Sequence, residues 1–132
     1  ILRCASAFGY RQVLAIKGTA ALWSPKVLRS GMGAHFGLRL VEALSEGDVA
    51  TLQVPLLTTS SHEGPFLHAL LQTGDLPQKC AWVFGHEGQG VSASLMAMAR
   101  HQVRIAQPGG EESLNVATAA AICLHASATS GP

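Results

Sequence analysis

The stretch Trp82-Val83-Phe84-Gly85-His86-Glu87-Gly88-Gln89-Gly90-Val91-Ser92 constrains the fold of this chain more than any other. An apolar run enters a glycine-rich turn carrying one acid, and Ser92 then opens a helical pattern over Ala93 to Arg100, so the spacing predicts strand, loop, helix. In an open parallel sheet such a junction borders the ligand crevice, which lies outside the carboxyl ends of the strands. Glycines there let a ligand approach backbone N–H groups closely. Gly85, Gly88 and Gly90 are spaced G-x-x-G-x-G, neither a dinucleotide fingerprint nor a P-loop. Spacing alone therefore fits a tight strand-to-helix turn as well as a binding loop.

The flanking sequence repeats the alternation of strand and helix. Ile1, Leu2, Ala5 and Phe8 share one helical face, and Gly9 stands where that helix stops. The helix opens at Ile1 with nothing before it, which implies further residues upstream. Gln12 to Ile16 is a short buried strand ending at Lys17-Gly18. Ser24 and Pro25 start a helix as cap and first helical residue, with Val27 and Leu28 turned inward, Arg29 nearby, and Gly31 and Gly33 at its end. Phe36 to Val41 is a second strand, Glu42 to Gln53 a helix interrupted by Gly47, and Val54 to Thr58 a third strand, with Pro55 confined to its beginning because it cannot donate to a ladder. Thr58-Thr59-Ser60-Ser61 then forms a row of hydroxyls that is either turn chemistry, the preferred reading, or part of a crevice lining. Phe66, Leu67, Leu70 and Leu71 make an apolar helical stripe closed by Gly74-Asp75.

After the central stretch, Gln102 to Ile105 is a last strand, delivering the chain to a second glycine-containing loop, Ala106 to Asn115. The helix from Leu114 to about Ala128 is small or apolar almost all round, so it must be buried in the core or against a partner subunit. Alternating strands and helices imply an α/β fold, a parallel sheet with helices on both faces. Two loops at the carboxyl ends of late strands, one with Glu87 and one with Ser113 and Asn115, strengthen the case for a pocket.

Composition removes several classes. At 132 residues and 48% hydrophobic the chain is expected to form one domain with a core. A net charge of +1 means that any nucleic acid would need a local basic patch. Cys4, Cys80 and Cys123 are odd in number and lack CxxC spacing, which fits inert thiols in a reducing compartment such as the cytoplasm. No apolar run reaches membrane-spanning length and no signal sequence is visible. His35, His62, His68, His86, His101 and His125 are scattered, so they are read as surface or locally satisfied groups and no metal is expected. There is no G-x-S-x-G elbow, and His86-Glu87 lacks the second histidine of H-E-x-x-H.

Val83 to Ser92 resembles the second motif, and Ile105 to Ala120, centred on Ser113-Leu114-Asn115-Val116-Ala117, the third motif, of the SpoU (TrmH-type) ribose methyltransferases of the SPOUT class. Pro25 to Phe36 resembles that family's segment between its first and second motifs. Of the first motif, an asparagine, a glycine and then an arginine on a helix, only the end is matched, by Ile1-Leu2-Arg3-Cys4-Ala5. By itself Arg3 would pass for a solvated arginine; the resemblance makes it the family's arginine.

The resemblance implies that residues 1–132 are a SPOUT catalytic domain truncated at its amino end, lacking the first strand and closed by a carboxyl-terminal trefoil knot, a rare exception to the rule against threaded chains. It implies S-adenosylmethionine as cofactor, surrounded by Thr58, Phe84, Gly85, Gly88, Ile105, Ser113, Leu114 and Asn115, with Thr58 matched by position only. The implied reaction is attack of a ribose 2′-hydroxyl of tRNA or rRNA on the sulfonium methyl, in a homodimer whose sites draw on both subunits. An ordinary guanidinium is a poor base. Arg3 is therefore expected to contact the ribose or adjacent phosphate and assist proton loss, while Glu87 and Asn115 orient it and the substrate. Arg29 is a candidate phosphate contact alongside Arg3. A non-catalytic RNA-binding or assembly protein of the same fold is the alternative, against which the presence of Glu87, Ser113 and Asn115 argues. A nucleotide-dependent oxidoreductase would need a G-x-G-x-x-G turn that this chain lacks.

Overall fold

The first helix, α1 (Leu2–Ala7), ends as its sequence requires: Gly9 adopts φ 86, the Tyr10 N–H donates to the Ala5 carbonyl at 2.9 Å and the Gly9 N–H to Ser6 at 3.2 Å. This is a Schellman stop, and a side chain at Gly9 would strain it. The computed structural model describes residues 1–16, 23–85, 90–110 and 114–130, together with two units, Ile1–Thr51 and Leu52–Pro132. Lys17-Gly18, the expected end of the first strand, lies outside the described residues.

In the first unit, β1 (Gln12–Ile16) pairs in parallel with β2 (Arg39–Leu44). Leu14 faces Val41 but Ile16 faces Leu44, so β2 holds one extra residue, and Ala43 absorbs it at φ 60. Between the strands, α2 (Pro25–Gly31) starts as expected: the Ser24 hydroxyl accepts from the Val27 N–H at 3.4 Å and Pro25 takes the first position. Met32 closes it in the left-handed region, and a 3₁₀ turn (Ala34–Gly37) follows. Leu2, Ala15 and Ala34 form a small core with Val13, Val27, Leu38 and Leu40 packed on it.

Three expectations are corrected here. Phe36 belongs to the 3₁₀ turn, and the strand begins at Arg39. Leu28 is exposed, because α2 has only two turns and Val27 supplies its contact with the core. The expected helix from Glu42 to Gln53 is divided: β2 runs through Leu44, and only α3 (Glu46–Ala50) is helical. A capping box starts that helix, with the Asp48 N–H donating to the Ser45 hydroxyl at 3.1 Å and the Ser45 N–H to the Asp48 carboxylate at 2.9 Å.

The second unit contains β3 (Leu56–Thr59), α4 (Leu67–Thr73), β4 (Ala81–Val83), α5 (Ala93–Met98), β5 (His101–Val103) and α6 (Val116–Thr129). The strands are parallel in the order β4-β3-β5, so β3 is central and the chain crosses it in passing from β4 to β5. Leu57, Val103, Leu67, Leu70, Leu76, Cys123 and Ala126 build the core on one face of β3. Strand side chains alternate, so Leu56 and Thr58 point the opposite way; both are buried, and the sheet is therefore covered on both faces. Leu71 departs from the expected stripe and is exposed, since Leu67 and Leu70 already cover the sheet. The last strand stops at Val103, with Arg104 reaching only an isolated bridge to Phe66. No helix among the described residues is long and apolar enough to cross a membrane.

Candidate functional site

Because β3, β4 and β5 are parallel, their carboxyl ends share one edge, and there the chain leaves through Ser60, Phe84-Gly85 and Arg104-Ile105. The order reverses around β3, which makes this edge the crevice position of an open α/β sheet. Helix α6 belongs to the same unit. Its far end is fixed at β4, where the Trp82 indole Nε1–H donates to the Ser127 hydroxyl at 2.7 Å and Cys80 lies 4.0 Å from it. Asn115 stands some three turns earlier, at the amino end of the helix.

Thr58 is wholly buried and its hydroxyl has no hydrogen-bond partner among the described residues. An unpaired buried hydroxyl costs about 1–3 kcal/mol, so it is retained where a partner beyond the described residues meets it. The second such atom in this unit is the Gln107 side-chain carbonyl, two residues beyond Ile105 in the loop leaving β5. A buried hydroxyl and a buried acceptor suit a ligand carrying amine and hydroxyl groups. Gln107 was not singled out from the sequence; a polar side chain directly behind a buried strand end was the available signal.

A Cβ at Gly85 would collide with the Gly90 backbone. Phe84, half-buried, stacks on Trp82 with ring centroids 6.2 Å apart. Ser92 caps α5, its hydroxyl accepting from the Leu95 N–H at 3.3 Å. Asn115 caps α6, its Oδ1 accepting from Ala117 at 2.8 Å and Thr118 at 3.4 Å. Ile105 and Leu114 are half-buried, the former packed against the core. Arg104 braces the edge, donating from Nε to the Gly64 carbonyl at 2.7 Å, its guanidinium 4.1 Å from the Phe66 ring centre. Burial pushes the Cys80 thiol up against the opposing hydrogen bond from Ser127, and pushes Cys123 up to about 12, so both stay protonated and unreactive.

The structure thus brings Thr58, Phe84, Gly85, Ile105, Leu114 and Asn115 to one unit, with the strand ends on a common edge. Glu87, Gly88 and Ser113 lie outside the described residues, as does His86. Arg3, exposed on α1, and Arg29, exposed in the last turn of α2, belong to the first unit.

The model of the SpoU rRNA Methylase family matches residues 1–125. The chain belongs to that family. Among its relatives, the 23S rRNA (guanosine(2553)-2'-O)-methyltransferase RlmP of Bacillus subtilis is 32% identical over 128 residues, covering 95% of this chain and 50% of RlmP. The mitochondrial rRNA methyltransferase 3 of Xenopus tropicalis is 54% identical over 44 residues, 33% of this chain and 11% of that protein. The SpoU methyltransferase AviRb of Streptomyces viridochromogenes, solved in complex with the cofactor AdoMet, shares the fold at a TM-score of 0.82 and 26% identity, over 97% of this chain and 53% of AviRb. This SpoU chain therefore spans about half the length of RlmP and AviRb.

Proposed function

We propose that this SpoU chain is the catalytic domain of an S-adenosylmethionine-dependent RNA ribose 2′-O-methyltransferase acting on tRNA or rRNA. One observation carries it: the family match runs over residues 1–125 and so takes in both the carboxyl edge of the sheet and Arg3, and a 2′-O-methyltransferase matches 95% of the chain. The edge fits the cofactor. Thr58 and Gln107 each hold a buried polar atom without a partner among the described residues, and both are suited to the amines and hydroxyls of an adenosyl group. Phe84, Gly85, Gly88, Ile105, Ser113, Leu114 and Asn115 are the further residues assigned to hold it. When bound, S-adenosylmethionine supplies a methyl group on a positively charged sulfur.

The chain's own task is to make a weakly acidic ribose hydroxyl nucleophilic and to aim it. Arg3 is assigned contact with the ribose or its adjacent phosphate, where a fixed cation favours the alkoxide as the proton leaves. Glu87 and Asn115 are assigned the orientation of Arg3 and the substrate. The Asn115 Oδ1 also caps α6, so the residue joins this orientation role to a structural one. Arg29 is assigned RNA phosphate. The carboxyl-terminal trefoil knot and a homodimer sharing its sites belong to the same proposal, with the exposed Ile122 on α6 as a candidate subunit contact. So does a reducing, cytoplasmic setting, supported by three free thiols. Transfer of labelled methyl groups to RNA tests the assignment: Arg3→Ala should lower turnover at least a hundred-fold with cofactor affinity unchanged. Near-normal turnover would remove Arg3 from the mechanism.

A further inference from the structure

A net charge of +1 conceals a segregation along the chain. Arg3, Arg11, Lys17, Lys26, Arg29 and Arg39 all precede the first acid, Glu42, and every one of the 8 acids lies from there onward. Within this purely cationic segment, the corner formed by α2, the 3₁₀ turn and the start of β2 also carries the most exposed large apolar groups among the described residues. Phe36 is 88% exposed, Met32 69% and Trp23 49%. The backbone accounts for this. In the 3₁₀ turn Ala34 and His35 are buried, which turns Phe36 outward, while Trp23 lies with its ring 4.9 Å from that of His35. Arg29 stands three residues before Met32 and Arg39 three after Phe36; both are exposed, and neither has an ion-pair partner among the described residues.

Leaving a phenylalanine in water forgoes the free energy of its burial, and such groups cluster where a partner covers them. The partner here must tolerate two exposed guanidinium groups without ion-pair partners among the described residues, which selects a polyanion. It must also present flat apolar faces between its charges, and an unpaired nucleotide strand does so, because its bases are free to stack. A duplex hides those faces.

We propose that this corner is a platform for an unpaired stretch of RNA: Phe36 stacks on a base, Trp23 and Met32 extend the apolar floor, and Arg29 and Arg39 take the flanking phosphates. This rests on the proposed RNA substrate and adds to it the strandedness of the RNA and the residues that recognise it.

Fluorescence anisotropy with a labelled unstructured RNA 12-mer, and with the same strand annealed to its complement, tests the platform without cofactor. The chain should prefer the single strand. Phe36→Ala should weaken single-strand binding roughly ten-fold, Phe36→Tyr should hold it within about two-fold of the parent, and Phe36→Leu should behave as the alanine variant. Replacing Arg29 and Arg39 together by alanine should reduce the salt slope of single-strand binding by about 1.4. Equal affinity for the duplex, or an unchanged affinity in Phe36→Ala, would overturn the platform. Full binding by Phe36→Leu would overturn stacking as its basis. Methyl transfer failing while RNA and S-adenosylmethionine both bind would instead strike the proposed activity and leave the platform standing.

Discussion

The two units of this chain divide their chemistry unequally. The first, Ile1–Thr51, holds exposed cations and exposed aromatic rings over a core of Leu2, Ala15 and Ala34. The second, Leu52–Pro132, has among the described residues three parallel strands, a larger core containing the fully buried Leu57, Val103 and Cys123, and buried polar atoms without partners at Thr58 and Gln107. One carries its unused binding capacity on the surface, as charge and π-faces; the other carries it inside, as unpaired hydrogen-bonding groups. A large, flexible polyanion is met by the first kind of surface and a small ligand by the second.

The largest effect is expected from Gly64→Ala, which probes how independent the units are. Gly64 sits at φ 91, and a Cβ there would run into the Gln102 backbone. Neither neighbour can yield without breaking β5, so the second unit should lose about 3–5 kcal/mol. The chain's two tryptophans report separately, Trp23 from the first unit and Trp82 from the second. In urea, the Trp82 signal of the variant should move to lower denaturant while Trp23 follows its own transition. Coincident transitions for both residues would show one cooperative domain and dissolve the distinction between units.

A smaller effect comes from pH and confines itself to the second unit, where the Cys123 thiol is pushed by burial from its ordinary value of 9.0 to about 12. The folded chain holds this proton over a range where the unfolded chain has lost it. The contribution is therefore whole below pH 9 and declines as pH rises toward 12. The slope is at most about 1.4 kcal/mol per pH unit. Stability followed by the Trp82 signal from pH 8 to 10.5 should fall above pH 9, and Cys123→Ala should flatten that fall. An unchanged slope in the variant would assign the alkaline loss to another group.

Much of this division was local enough to read in the sequence. β1 falls on Gln12–Ile16 as expected, Ser24 and Pro25 start α2, and Gly9 and Gly74 stop their helices, because each depends on a few neighbouring residues. The Glu42–Gln53 stretch departs from its helical pattern because the paired strand β1, distant in sequence, holds β2 as far as Leu44, and the Ser45 and Asp48 capping box restarts the chain as α3. Thr58 is matched by position alone and carries a buried hydroxyl without a partner among the described residues, whereas Gln107 gives no periodic or motif signal. The basic segment was invisible in a net charge of +1, since the later acids nearly cancel it. Glu87, Gly88 and Ser113 came from the motifs alone.

The smallest effect belongs to Asn115, where capping and ligand binding can be separated. Its Oδ1 accepts from two N–H groups at the start of α6, so Asn115→Ala should cost about 1 kcal/mol of stability. Aspartate caps equally well but lacks the Nδ2 donor. Asn115→Asp should keep the cap, and with its melting compared against that of Asn115→Ala, calorimetry with S-adenosylmethionine and methyl transfer to RNA report what the amide does beyond capping. A loss of either in Asn115→Asp, with stability intact, would place the Nδ2 donor in the site of the second unit. Full binding and turnover in Asn115→Asp would reduce Asn115 to a helix cap and leave Thr58 and Gln107 as the polar side chains that mark the edge as a binding site.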